Sequence, residues 1–119
     1  MTPSSSHFLS LERTLAYVGD MASAMSLLGT LEQSLQADLP RIQGLLDAGD
    51  LTGANRLLHQ LKGFAPVFCV DALVAQVVEV ERLSKGTDLS AVREAYRLLQ
   101  PQLQQLLAEV QQQLAAPGG

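Results

Sequence analysis

Residues 51–68 read LTGANRLLHQLKGFAPVF. Leu51, Ala54, Leu58, Leu61, Ala65 and Phe68 recur at spacings of three and four, the period of a helix that buries one stripe. On a wheel of ~100° per residue, His59 falls well away from that stripe, near the middle of the solvent face. Gly63 lies beside it, and Arg56, Lys62 and Pro66 flank the pair. A glycine inside a helix costs about 0.5–1 kcal/mol relative to alanine. Its place next to an exposed histidine therefore calls for a reason. An amphipathic helix of this kind must also cover its stripe with other helices, and the flanking sequence supplies them.

Upstream, Gly49-Asp50 ends one helix and caps the 51–68 helix. The preceding helix is predicted over 21–48, with Met21, Met25, Leu28, Leu35, Leu39, Ile42 and Leu46 on its apolar face. Pro40 should kink it or loosen one turn. A short helix over 8–18 comes first, closed by Gly19-Asp20. Downstream of the histidine, Pro66 should end or kink its helix within about one turn. The 71–84 segment carries Leu73, Val74, Val77, Val78 and Val80. Valine favours strands, but the length and the lack of strict alternation favour helix. A turn over 85–88 offers Thr87 or Asp88 as the next cap. The last helix then runs Leu89, Val92, Tyr96, Leu99, Leu103, Leu106 and Val110, its stripe unbroken by Pro101. Short connections between such helices make antiparallel neighbours. The predicted fold is all-α, an antiparallel up-down four-helix bundle with a short additional N-terminal helix. Residues 1–7 read as a flexible tail or linker remnant, 8–115 as the bundle and 116–119 as a frayed C-terminus.

A chain of 119 residues with 47% apolar content suits one domain with a real core. The net charge of −4 argues against nucleic acid as a partner, which would demand a basic face. Cys69 stands alone, so no internal disulfide forms, and it reads as a buried small hydrophobe. No apolar run reaches the ~18–20 residues of a membrane span, and MTPSSSHF lacks the regions of a signal peptide. A cytoplasmic protein without direct membrane insertion is expected. Met21 and Met25 read as core filler, His7 as uninvolved, and the Gln-rich stretch 100–113 as a solvated face of a monomeric domain. A haem or metal bundle is disfavoured, because the two histidines are far apart and no Glu-x-x-His repeat exists.

The spacing around His59 supports one chemistry in particular. An unperturbed imidazole offers a nucleophilic nitrogen near neutral pH. A phosphoryl group on it would bring a cluster of anionic oxygens, and an ammonium one turn away would offset part of that charge. Gly63 would let a partner's reacting group come close. The chain has no Gly-rich phosphate loop and no Asp/Asn set for Mg²⁺, so it could accept and pass on a phosphoryl group but not draw one from ATP.

His59-Gln60-Leu61-Lys62-Gly63 resembles the helical His-x-x-Lys-Gly signature of histidine-containing phosphotransfer (HPt) domains of multistep two-component phosphorelays. LPRIQGLLDAGDLTGANRLLHQLKG also follows that family's pattern of a long helix with an internal proline, a Gly-Asp turn and the histidine helix. The resemblance spans roughly residues 8 to 112. It implies a phosphorelay carrier, not an enzyme, that takes a phosphoryl group from a receiver-domain phospho-aspartate and gives it to another receiver aspartate in signal transduction. His59 would be the phospho-acceptor, Lys62 the phosphate-stabilising cation and Gly63 the clearance for the receiver. Glu81 stands where relatives often place a Gln or Glu that holds the other imidazole nitrogen; it could equally form an i,i+4 pair with Lys85. The implied partners are response-regulator receiver domains, possible neighbours within a hybrid sensor histidine kinase. No cofactor is expected in this domain, Mg²⁺ being brought by the receiver. Docking is expected around His59 with apolar residues of the first two helices, Leu9, Ala16 or Met21. Phe64, where relatives carry a small residue, and Pro66 depart from the pattern. They leave a second reading, a helical adaptor that binds receivers or partner helices without being phosphorylated.

Overall fold

The computed structural model describes residues 7–115, and within them the chain forms α1 (Leu11–Val18), α2 (Met21–Asp47), α3 (Leu51–Phe68), α4 (Asp71–Ser84) and α5 (Leu89–Ala115). The tail over 1–6 and the end over 116–119 lie outside the described residues. The punctuation follows the sequence. Gly19 and Gly49 take φ values of 93° and 78°, the left-handed conformation that glycine reaches without a Cβ penalty. Directly after each, an aspartate caps the next helix: Asp20 accepts the Ser23 N–H at 2.7 Å and Asp50 accepts the Gly53 N–H at 2.8 Å. Asp88 does the same for α5, accepting the Ala91 N–H at 3.0 Å. α2 and α5 run on through Pro40 and Pro101, and α3 ends two residues after Pro66.

The four long helices close a ring in which α2 packs on α3 and α5, and α4 packs on α3 and α5. α1 lies across α2 and α3. This is the all-α bundle with an extra N-terminal helix. Leu28, Leu35, Ile42 and Leu46 from α2, Leu58 from α3, Leu73 and Val77 from α4, and Leu99, Leu103 and Leu106 from α5 are fully buried. At about 1.5–3 kcal/mol for each large aliphatic side chain, they supply the main force for assembly. The buried Tyr96 hydroxyl donates to the Leu39 carbonyl at 3.1 Å, so the one polar atom of that ring is satisfied.

The expected α1 is too long by three residues. Phe8, Leu9 and Ser10 are not helical; they lie alongside the α3–α4 connection in an antiparallel pairing. The Ser10 N–H donates to the Phe68 carbonyl at 2.7 Å and the Val70 N–H to the Phe8 carbonyl at 2.9 Å. Thr14 and Arg13 then complete the end of α3: the Thr14 hydroxyl donates to the Val67 carbonyl at 3.1 Å and the Arg13 guanidinium to the Cys69 carbonyl at 2.6 Å. The last carbonyls of the histidine helix, which have no intrahelical partners, are thus taken up by α1 and the segment before it. Two further expectations need correcting. Met21 is exposed, because it starts α2 in a turn that overhangs the core. Leu9 is buried beneath the pairing with Cys69 and is unavailable for docking. Among the described residues no helix is long and apolar enough to cross a membrane.

Candidate functional site

His59 stands at mid-length on α3 with its side chain 67% exposed, and Glu81 on α4 reaches it from below with only 1% exposure. α3 and α4 are antiparallel neighbours joined by a short connection, so residues 22 apart in sequence meet across the seam. The carboxylate divides its work between its two oxygens. Oε2 lies 3.5 Å from His59 Nδ1, and the Asn55 amide nitrogen donates to the same oxygen at 3.2 Å. Oε1 receives the ammonium of Lys62 at 3.2 Å and that of Lys85 at 3.5 Å. Glu81 thus stands within 3.5 Å of both groups that its two sequence-based readings named, the Lys85 ammonium four residues on and the His59 imidazole.

Burial pushes the Glu81 carboxyl toward a higher pKa, but the hydrogen bonds of Lys62 and Asn55, with the charges of Lys62 and Lys85, outweigh it. The net shift is downward, so Glu81 is a carboxylate at neutral pH. An anion opposite Nδ1 favours the tautomer with a proton on that nitrogen. Nε2 then keeps its lone pair, on the ring edge that faces away from Glu81.

Asn55 and Ser84, which the sequence reading passed over, complete the arrangement. The Asn55 amide nitrogen also donates to the Ser84 hydroxyl oxygen at 2.8 Å, and that hydroxyl donates to the Glu81 carbonyl at 2.7 Å. A signal was present: Asn55 precedes His59 by four residues and so shares its stripe on α3.

Gly63 is exposed, and a Cβ built on it would meet no atom within 4 Å. Nothing inside the fold needs a glycine there. Phe64, one residue on, turns the other way: it is half-buried, stacks edge-on against Phe68 with centroids 6.1 Å apart, and helps Leu27, Thr30, Leu31 and Ser34 line a shallow apolar hollow of about 110 Å³. Two larger clefts, each of about 390 Å³, lie between α2 and α5 and contain no residue of α3 or α4. Cleft size alone would thus point away from His59. Among the described residues, no three His, Cys, Asp or Glu side chains converge as a metal ligand set.

Compared with known families, the chain matches the model described as Hpt domain over residues 26–113, from the first turns of α2 almost to the end of α5. Neither the comparison with curated proteins nor that with solved structures gives a match.

Proposed function

Because the chain belongs to the Hpt domain family, whose members carry phosphoryl groups on histidine in phosphorelays, we propose that His59 is the carrier residue and that its partners are receiver domains. The observation that carries this reading is the buried Glu81 carboxylate set against Nδ1 of an exposed imidazole, with two lysines on its other oxygen.

In the proposed step, the Nε2 lone pair attacks the phosphorus of a receiver's aspartyl phosphate. An N–P bond forms, the P–O bond to the aspartyl carboxylate breaks, and that carboxylate leaves with the bonding pair. The ring keeps its Nδ1 proton and so becomes positively charged as the bond forms. Glu81 faces that charge, and an anion fixed in place where charge develops lowers the barrier. Lys62 and Lys85 stand one turn from the ring on α3 and at the end of α4, in reach of the incoming anionic oxygens. Retention of the Nδ1 proton also keeps the imidazole a good leaving group, so the reverse attack by a second receiver's aspartate returns the ring to its starting state. The Mg²⁺ that assists such a transfer is assigned to the receiver. Docking is assigned to the exposed face around His59 and Gly63, extended by the Phe64 hollow and by Ala16 and Met21, and the setting to the cytoplasm.

The test is transfer from a receiver labelled with radioactive phosphate. Acid-labile label should appear on the full chain and vanish in His59→Gln. Label that persists in His59→Gln would overturn the assignment.

A further inference from the structure

The amide nitrogen of Asn55 has a long contact of 3.5 Å to the Glu81 carbonyl and two closer acceptors, whose identities fix which way it points. One is the Glu81 carboxylate at 3.2 Å; the other is the Ser84 oxygen at 2.8 Å, whose own hydrogen is given to the Glu81 carbonyl at 2.7 Å. Neither can donate to Asn55, so the amide must face both with its NH₂ end. Its two N–H bonds are then directed at the two closer acceptors.

The consequence lies in how the Glu81 carboxylate is oriented. Two ammonium groups pull on Oε1, and in their field the carboxylate gains by turning both oxygens toward the lysines. The imidazole is a weak opponent, exposed and 3.5 Å away. Asn55 is the group that anchors Oε2 on the histidine side, and Ser84 anchors Asn55 to the backbone of α4. The geometry points to Asn55 as a positioning residue that sets the tautomer of His59 through Glu81, holding the proton on Nδ1 and leaving Nε2 unprotonated. This rests on the phospho-carrier reading for its use, but the tautomer itself can be read without any transfer.

The experiment uses the ¹⁵N-labelled full chain at neutral pH and long-range ¹H–¹⁵N correlation spectra of the His59 ring, compared among the unmodified protein, Asn55→Leu and Asn55→Ala. Helical circular dichroism checks that each is folded, and Ser84→Ala serves as a third variant that keeps Asn55 and removes its anchor. The unmodified protein should show His59 chiefly as the Nδ1–H tautomer. Each Asn55 variant should move the ring toward Nε2–H, and Ser84→Ala should move it the same way by less. Transfer from a phosphorylated receiver should fall in the Asn55 variants by roughly tenfold, a barrier raised by about 1.4 kcal/mol. An unchanged tautomer in folded Asn55 variants would overturn the inference, whatever the transfer rate does. A tautomer shift in a protein that takes no label at His59 would uphold Asn55 as the positioning residue and defeat the carrier reading alone.

Discussion

Glu109 accepts the Leu9 N–H at 2.9 Å across 100 residues of sequence, and the N–H groups of Phe8 and His7 converge on the same carboxylate at 3.0 and 3.1 Å. The Gln105 amide adds a fourth donor at 3.0 Å. This buried anion has backbone dipoles where a salt bridge would be expected, and it ties the segment before α1 to the last turns of α5. Burial raises the Glu109 pKa, but the donors from Leu9, Phe8, Gln105 and His7 outweigh it and leave it below the ordinary 4.5. A carboxylate with a depressed folded pKa contributes stability that is fully present above its unfolded value and is lost as pH falls through the folded value. Glu81 has the same sign. Urea unfolding should therefore give a midpoint that is level above about pH 5 and declines below it. Glu109→Gln keeps one acceptor oxygen and should cost about 1–3 kcal/mol at pH 7, with a shallower acid decline. An acid decline as steep as in the unmodified protein would contradict this.

Gly63→Ala should separate the needs of the fold from those of the partner. With open space around the added methyl, the helix should gain about 0.5–1 kcal/mol, read as a higher urea midpoint. Transfer from a phosphorylated receiver should drop, by roughly ten- to a hundredfold if the reacting atoms are displaced by about 1 Å. A variant both more stable and undiminished in transfer would remove the clearance role from Gly63.

Cys69 should be chemically silent until the chain unfolds. Burial pushes its thiol up to about 12, against a smaller opposing pull from Arg13. At pH 8 the native protein holds almost no thiolate, whereas an unfolded cysteine near 8.5 holds a substantial share. Alkylation by iodoacetamide, followed by mass, should be slow in buffer and fast in urea. Equal rates in the two would show that the pairing of Leu9 with Cys69 does not cover the thiol.

The bundle was legible because its signals are local. Gly19-Asp20 and Gly49-Asp50 each state a stop and a start, the 51–68 helix falls where the three-four period places it, and the 71–84 segment is helical, as its length and lack of strict alternation imply. His59 and Lys62 were legible for the same reason, since one turn of one helix holds both. What escaped the pattern depends on a second element. Phe8 to Ser10 carry apolar residues fit for a helix, yet they pair with the α3–α4 connection, which no local period reveals. Leu9 and Met21 look alike as apolar residues near a helix start, but one is covered by Cys69 and the other overhangs the core. Glu81 is singled out by the position that relatives fill with a Gln or Glu, while Asn55 and Ser84 read as ordinary polar residues. Their roles exist only once α3 and α4 are side by side.

The shared oxygen of Glu81 has a further bearing on encounter and release. One carboxylate between two lysines leaves the unloaded cluster with a single net positive charge in an otherwise acidic protein. If His59 is the phospho-carrier proposed above, that local sign would attract an acidic pocket bearing an acyl phosphate and shorten its search. Once a phosphoryl group had crossed, its oxygens would compete with Glu81 for the same ammonium groups and the surplus would be spent. On that reading the donor would leave a surface that has lost its attraction, and the carrier would depart loaded.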